Sequence, residues 1–194
     1  VEGEYVFQQQ ISATQPYYQM GYGRCVSMDN DALVVSVTSF GWPNIAQSRV
    51  YIYRLINGSW LLEKELVEDV LTRTKYGTHV QIVWDTLYVS APLLDSTYGR
   101  AGGIFVYRYS ASVWSFEQLI LHSQVITYSE FGYNFKVVGN KLYAAAKREN
   151  FTVSTAGFVY CYDIIGQSYQ ENQSISPYIG SYPGMSFGTS IYAK

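Results

Sequence analysis

The residues of this chain that could act as nucleophiles, bases or metal ligands are few and scattered. Histidine occurs as His79 and His122, and cysteine as Cys25 and Cys161. They do not have the spacing typical of zinc sites, and two cysteines do not define a disulfide framework. A Ser/His/Asp or Cys/His set can assemble from distant positions, but no nucleophile-elbow motif accompanies these residues. We therefore expect no catalytic residues and no metal site.

Two further motifs have the composition of a chemical site without its spacing. Glu63 and Glu65 alternate along a predicted strand and share one face, which is typical of a solvated outer strand. The glycine-rich segment 98–103 lacks the Lys-Ser/Thr that follows a phosphate-binding loop, so we interpret it as a connector between strands. The sequence predicts neither an enzyme nor a cofactor.

Three Asn-x-Ser/Thr sequons are the most informative chemical motifs in the chain. They begin at Asn57, Asn150 and Asn172. Asn57 falls in a predicted hairpin turn, Asn150 in a long loop and Asn172 beside an outermost strand. A bulky glycan can project from each of these places. The sequons predict N-glycosylation, and with it a secreted, extracellular or cell-surface protein.

Composition excludes two classes of partner. The chain has 194 residues, with 13 Lys plus Arg against 15 Asp plus Glu and a formal net charge of -2, so no strong field attracts nucleic acid. No stretch approaches the roughly 20 apolar residues of a membrane span, and we expect no membrane insertion. Aromatic residues make up 17% of the chain and charged residues only 14%, which favours strands over disorder.

The aromatic residues recur at a fixed spacing. Aromatic–glycine pairs occur at intervals of 54, 55 and 56 residues, and their glycines are Gly23, Gly77, Gly132 and Gly188. The first three aromatic residues are each followed by a Leu after 11 residues and by a Tyr after 31. These landmarks are Leu33, Leu87, Leu142, Tyr53, Tyr107 and Tyr162. Such self-similarity indicates a repeat protein, and glycine permits close backbone approach near a crowded axis.

Each repeat resolves into four short strands. The first carries the aromatic–glycine pair, the second is nearly all apolar or small, the third alternates aromatic and β-branched residues, and the fourth opens with an aromatic residue. The predicted units are 22–75, 76–130 and 131–186, with 1–21 and 187–194 as parts of flanking blades. Four antiparallel strands per roughly 55 residues are typical of a β-propeller blade. The sequence predicts an all-β propeller of three complete blades, with a flanking strand at each terminus.

The phase of these landmarks resembles the FG-GAP, integrin-α-like propeller repeat. In the second unit the matching residues are Tyr76-Gly77, Trp84-Asp85, Ser90-Ala91-Pro92 and Gly102-Gly103. Calcium-binding members of that family carry an Asp-rich loop between the second and third strands. Here the corresponding loops, 38–48, 92–101 and 147–156, contain only Asp95 and Glu149 as carboxylates. A calcium ion takes six to eight oxygen ligands, so we expect no calcium.

The aromatic residues of the loops favour an alternative function, ligand binding. Most aromatic residues recur at fixed phase and are explained by packing between blades. Trp42, Phe40 and Tyr98 lie outside this pattern, and they are candidate ligand contacts, with Trp42 the best of them. They favour a glycan- or protein-binding propeller head, similar to a lectin or a receptor.

Three blades do not close a ring, because known propellers have about four to eight. The chain is then part of a longer protein, or several chains complete one another, or the units form an open stack. Terminal strands are reactive edges, and head-to-tail contacts give rings or filaments. Our leading hypothesis is a non-catalytic extracellular structural or adhesive glycoprotein module. It self-associates with other protein chains through blade or strand complementation, with a filament as one form.

Overall fold

The protein is all-β in the part of the chain that its computed structural model describes. That part comprises residues 6–13, 20–39, 47–67, 74–96, 99–123, 128–148, 157–176 and 187–193. These residues form strands, turns and irregular segments, and no helix. Within them, no helix has the length and apolarity needed to cross a membrane. The all-β prediction is confirmed.

Three open four-stranded antiparallel sheets contain most of the strands. Sheet 1 consists of β1 (Met20–Asp29), β2 (Ala32–Ser39), β3 (Arg49–Ile56) and β4 (Ser59–Val67). Sheet 2 contains β5 (Val80–Val83) and β6 (Thr86–Ala91), then β9 (Gly103–Ser110) and β10 (Val113–Ile120), with the small hairpin β7 (Asp95–Ser96) and β8 (Gly99–Arg100) between β6 and β9. Sheet 3 consists of β11 (Phe131–Val138), β12 (Lys141–Ala146), β13 (Phe158–Ile165) and β14 (Ser168–Ile175). Each sheet follows chain order from one edge to the other.

The flanking strands differ from the prediction. Residues 6–13 and 187–193 contain no strand, so the expectation of a strand at each end is wrong for these described residues. A strand requires a neighbouring backbone with which to form a ladder, and neither segment forms one with another described strand. The first strand of sheet 2 is also shorter than predicted, because Tyr76 and Gly77 lie in a turn before β5.

The three sheets share one register, which defines equivalent positions. In the first strands, Val26, Val80 and Phe135 are equivalent, because each pairs with the matching residue of its second strand. Met28, Ile82 and Val137 are equivalent in the same way. In the fourth strands, the equivalent residues are Leu66, Ile120 and Ile175, since they pair with Val50, Ile104 and Val159.

The sheets stack in chain order through two kinds of face. We call the face that contacts the preceding sheet the leading face, and the face that contacts the next sheet the trailing face. The core between sheets 1 and 2 joins the trailing residues Val34, Val50, Ile52 and Leu66 to the leading residues Val80, Ile82, Leu87 and Val89. The core between sheets 2 and 3 joins Tyr88, Ile104, Val106 and Ile120 to Phe135, Val137, Leu142 and Ala144. Alternation along each strand supplies both faces.

The 31-residue spacing of the landmarks has a direct structural cause. In sheet 1 the hydroxyls of Tyr22 and Tyr53 are 2.9 Å apart. In sheet 2 the Tyr76 hydroxyl donates to that of Tyr107 at 2.8 Å. In sheet 3 the rings of Phe131 and Tyr162 pack edge to face, with centroids 6.1 Å apart. The aromatic residue and the Tyr therefore touch in every sheet.

The repeated glycines lie where one sheet meets the next. Gly77, Gly132 and Gly188 have φ values of +77°, +78° and +80°, in the region that favours glycine. A Cβ at Gly132 would lie 2.9 Å from Cγ1 of Ile104, and one at Gly188 would lie 2.8 Å from Cβ of Ala145. These contacts are too close for a side chain, so the aromatic–glycine repeat is a device for stacking sheets.

Candidate functional site

Sheet 1 exposes apolar side chains at positions that are buried in sheets 2 and 3. Val26 is 56% exposed and Met28 is 63% exposed, whereas their four equivalents in the other sheets are at most 4% exposed. Gly23 has nearly the same positive φ as the other repeat glycines, but a Cβ there would meet no atom of the described residues within 4 Å. We call Gly23, Val26 and Met28 the open leading surface. It corresponds to the part of sheets 2 and 3 that a preceding sheet covers.

The opposite end of the stack has a matching feature. Ile175 is 41% exposed, although its equivalents Leu66 and Ile120 are buried, and Tyr192 is 84% exposed. We call Ile175 and Tyr192 the open trailing surface. Both ends of the stack thus present apolar groups at positions that lie inside an interface elsewhere in the same chain.

Residues 187–193 occupy the place of a first strand on the trailing face of sheet 3. Gly188 approaches Ala145 and Val159 as Gly77 approaches the equivalent residues of sheet 1, Ser36 and Val50. The side chain of Asn134 in β11 donates to the Thr189 carbonyl at 3.2 Å. The segment is therefore positioned like the next first strand, although it forms no ladder with the described strands.

Residues 6–13 occupy the place of a preceding fourth strand. The Gln9 side chain donates to the Trp60 carbonyl at 3.0 Å and accepts from the Trp60 backbone N–H at 2.8 Å. Ile11 packs against the apolar cluster of Val35, Val37 and Tyr51 on the leading face of sheet 1. This segment covers an outer part of that face and leaves Val26 and Met28 exposed.

Adjacent first strands are joined by side chains that bond to the backbone of the next sheet. Ser27 Oγ accepts from the Ile82 N–H at 3.0 Å. Gln81 Oε1 accepts from the Val137 N–H at 2.8 Å, while its amide donates to the Val137 carbonyl at 2.9 Å. Tyr192 has the same phase as Ser27 and Gln81, five residues after its repeat aromatic. Lys136 holds this position in sheet 3, and the Tyr192 hydroxyl is the polar group that follows it.

A polar cleft of about 300 Å³ lies along these first strands. Its walls include Cys25, His79, Asn134 and Ser190, which all stand three residues after a repeat aromatic. Cys25 Sγ lies 3.7 Å from His79 Nδ1 and also accepts from the Val80 N–H at 3.5 Å. The equivalence of the four positions is visible in the sequence, but their convergence on one cleft is a result of stacking.

The charge state of His79 limits what the cleft can do chemically. Burial and the nearby Lys136 lower the pKa of His79 to about 4, so the imidazole is uncharged at neutral pH. The ring also packs edge to face on Phe135, with centroids 4.7 Å apart. With a pKa this low, the imidazole is a weak base at neutral pH and is poorly matched to remove a proton from the thiol. We interpret the Cys25–His79 contact as part of the joint between sheets 1 and 2.

A second cleft, of about 450 Å³, lies at the outer side of the same joint. Arg54 donates to Asp31 Oδ1 at 2.8 Å and to Glu63 Oε2 at 3.0 Å, and its guanidinium lies 4.8 Å from the centre of the Tyr109 ring. Trp114 Nε1 donates to the same Glu63 oxygen at 3.3 Å. The charged groups of this cleft are paired with one another, so they serve the interface.

Glu63 belongs to a repeated device that the sequence analysis missed. Each third-to-fourth strand hairpin has a bulge, and the extra residue pairs with a residue nine positions earlier. The pairs are Arg54–Glu63, Arg108–Glu117 and Asp163–Asn172. In the third pair the donor is on the fourth strand, because Asn172 donates to Asp163. The ion pair with Lys141 and this bond from Asn172 lower the pKa of Asp163. The constant separation of nine residues between the partners was the sequence signal that could have revealed these pairs.

Two of the three predicted glycosylation residues lie in the described part of the chain. Asn57 is exposed in the β3–β4 turn with φ of +51°. Asn172 is exposed at the bulge of β14, and its Nδ2 donates to Asp163 Oδ2 at 2.6 Å. Asn150 lies outside the described residues, as do the candidate ligand contacts Trp42, Phe40 and Tyr98.

No metal centre is assembled among the described residues. Within them, no group of three or more His, Cys, Asp or Glu side chains is placed to hold an ion. Cys25 and Cys161 are both free thiols, the first in the polar cleft and the second buried in β13. The other histidine, His122, packs against Tyr160 with ring centroids 4.0 Å apart.

No known family model matches this chain, and a search of curated proteins finds no match. The function is therefore inferred from the surfaces and clefts described above.

Proposed function

We propose that this protein is a non-catalytic structural module that assembles with further copies of itself by completing the interfaces left open at the two ends of its stack. The observation that carries this proposal is the exposure of Val26 and Met28 at positions buried in both other sheets. An exposed apolar side chain, at a position that is buried in the equivalent sheets, favours binding to another protein. Each buried Å² of apolar surface contributes about 25 cal/mol.

The proposal includes a β-propeller arrangement of the sheets and a relationship to the FG-GAP repeat. Supporting it, β5 packs against β1 and β2, and β11 packs against β5, β6 and β9. First strands therefore follow one another along a common edge, as the inner strands of propeller blades do. The aromatic–glycine contacts between sheets are also consistent with that repeat.

The proposal also places the module outside the cell, as a secreted or cell-surface glycoprotein with a structural or adhesive role. Asn57 supports this part, since it starts a sequon in an exposed turn, from which a glycan can project. A glycan in the turn at Asn57 leaves Val26, Met28 and Tyr192 free for assembly, in a ring or in a filament.

Light scattering over a range of protein concentrations tests the assembly. We expect the wild-type chain to show a mass that rises above that of one copy. Met28→Glu places a charge on the open leading surface and should weaken the association at least about tenfold. Val113→Glu is the matched control, because Val113 is 58% exposed in β10, away from both open surfaces. A wild-type chain that stays a single copy at all concentrations would overturn the proposal.

One observation favours a second function, a glycan- or protein-binding head. The polar cleft beside the first strands is bordered by Tyr192, whose exposed ring could stack on a sugar. A glycan array separates the two functions. A binding head should give saturable binding that Trp42→Ala or Tyr192→Ala weakens, whereas a purely structural module should give none.

A further inference from the structure

We propose, building on the self-assembly proposed above, that copies join head to tail. In this joint, the open trailing surface of one copy binds the open leading surface of the next. The segment 187–193 of the first copy supplies the first-strand position of a shared layer, and the segment 6–13 of the second copy supplies its fourth-strand position.

The trailing half of this joint follows from how residues 187–193 already bind sheet 3. Gly188 makes the close approach to Ala145 and Val159 that Gly77 makes to Ser36 and Val50. The segment is thus docked on one side as a first strand. In sheets 1 and 2, the other side of a first strand meets the first strand of the next sheet, and here that side carries the exposed Tyr192.

The leading half of the joint follows from how residues 6–13 bind sheet 1. Gln9 bonds to the backbone of Trp60, at the start of a fourth strand. Gln118 of β10 bonds in a comparable way to the Gln167 carbonyl of the next sheet, at 2.5 Å. The segment 6–13 therefore acts as an outer strand placed ahead of sheet 1, and the inner position beside β1 is left open, with Val26 and Met28 exposed.

The polar groups of the two surfaces match as well as the apolar ones. Ser27 and Gln81 each accept from the backbone N–H one position ahead in the next first strand, at Ile82 and Val137. Tyr192 has the phase of Ser27 and Gln81, and Met28 is equivalent to Ile82 and Val137. Lys136 has the same phase but only donates hydrogen bonds. On the pattern of Ser27 and Gln81, we expect the Tyr192 hydroxyl of one copy to accept from the Met28 N–H of the next.

The two surfaces do not match themselves, which decides against a face-to-face dimer. The equivalents of Val26 and Met28 pack against the trailing face of the preceding sheet in both internal joints. An isologous contact would instead set Met28 against Met28. Contacts between two different surfaces are heterologous and allow further copies to add. We infer a second copy of this chain as the partner, because residues 187–193 dock on sheet 3 as the Gly77 and Gly132 segments dock on the sheets before them.

Two singly blocked variants test the head-to-tail joint. Met28→Glu blocks the leading surface and keeps the trailing surface, while Tyr192→Glu does the reverse. We expect each variant alone to associate at least about tenfold more weakly than wild type, and an equimolar mixture to form a complex of one copy of each. One variant carries an affinity tag, so that co-purification and light scattering report the mixed pair.

The results that would reject the head-to-tail joint differ from those that would reject self-association. Val113→Glu alone should associate as wild type does, and unchanged circular dichroism shows that each variant is folded. Ile175→Glu is a second trailing variant in case Tyr192→Glu is unstable. If wild type associates but the blocked variants form no mixed pair, or if both trailing variants alone associate as wild type, the head-to-tail joint is wrong although self-assembly stands. A monomeric wild type would instead remove both proposals.

Discussion

His79 shows how the stack changes the properties of a single residue. Its equivalents are Cys25, Asn134 and Ser190, and all four line one cleft. His79 alone among them carries a basic group, and it is enclosed by Phe135 and faces Lys136 and Cys25. Its low pKa is therefore a consequence of packing between sheets, which makes it a reporter of whether the sheets are stacked.

This pKa predicts a pH dependence of stability. The pKa of His79 is about 4 in the folded chain and about 6.5 in an unfolded one, so the unfolded state binds the proton more strongly. The free energy of unfolding should fall as the pH drops from about 6.5 towards 4, by up to about 3 kcal/mol. Denaturant titrations at several pH values measure it. His79→Asn, which copies Asn134, should remove this component, and an unchanged pH profile in that variant would contradict it.

Substituting alanine at two repeat glycines separates the effect of backbone strain from that of contact with a neighbouring sheet. Gly132 and Gly23 have nearly the same φ, but only Gly132 is pressed against a neighbouring sheet, at Ile104 and Gly103. Gly23→Ala should lower the free energy of unfolding by about 1 kcal/mol through strain, and Gly132→Ala by about 2 to 4 kcal/mol through strain and collision. Thermal unfolding of both variants, at a concentration where the chain is a single copy, measures the difference. Equal losses would mean that the contact contributes nothing.

At the scale of elements, the third-to-fourth strand hairpin carries both the bulge pair and two of the sequons. Asn57 lies in the turn of the first hairpin, whereas Asn172 lies at the bulge of the third. A turn residue projects away from both strands, but Asn172 donates the nitrogen that would carry a glycan to Asp163, which is also bonded to Lys141. The two positions therefore differ in accessibility although both are exposed.

This difference predicts unequal glycosylation. When the chain is secreted from eukaryotic cells, we expect Asn57 to be modified more completely than Asn172. Mass spectrometry before and after enzymatic deglycosylation measures occupancy at each site. Asn57→Gln and the independent variant Ser59→Ala should remove the same glycan mass. Full modification at Asn172 with none at Asn57 would show that the hydrogen bond to Asp163 does not limit transfer.

At the scale of the whole molecule, three similar sheets each bury their faces only against a neighbour. Stability of such a stack is the sum of the contributions of its layers and of the joints between them. The two internal joints cover Ile82 and Val137, while their equivalent Met28 stays exposed. In the proposed assembly, the ends of the stack bind further copies through contacts like those of the internal joints.

The apolar character of the ends predicts how salt affects assembly. Raising the salt from about 50 mM to about 500 mM shortens the Debye length severalfold and weakens charge pairing between exposed groups. Association through Val26, Met28, Ile175 and Tyr192 should be unchanged or slightly stronger, since apolar burial is not screened. Sedimentation velocity at both salt concentrations measures it. Dissociation at high salt would mean that the copies are held together by charged groups instead of apolar ones.

The pattern of the strands followed closely from local sequence, and the candidate surfaces did not. The second strand predicted for each repeat, nearly all apolar or small, is observed as β2, β6 and β12, because an unbroken apolar run between turn residues has few other solutions. Val26 and Met28 look like ordinary strand residues in sequence. Among the described residues no sheet packs on them, and the local pattern does not encode whether a position is covered by another sheet.

The amino-acid sequence alone determined the all-β class, the four-strand repeat and the phase of the aromatic, glycine and leucine landmarks, since these depend on side-chain alternation and turn chemistry within a few residues. Only the tertiary structure decided which copies of a repeated position are buried, why Gly23 differs from Gly132, and that Cys25 and His79 meet. The physical reason is that burial, close approach and a shifted pKa are properties of two sheets in contact, and a repeat unit specifies its own sheet without specifying its neighbour.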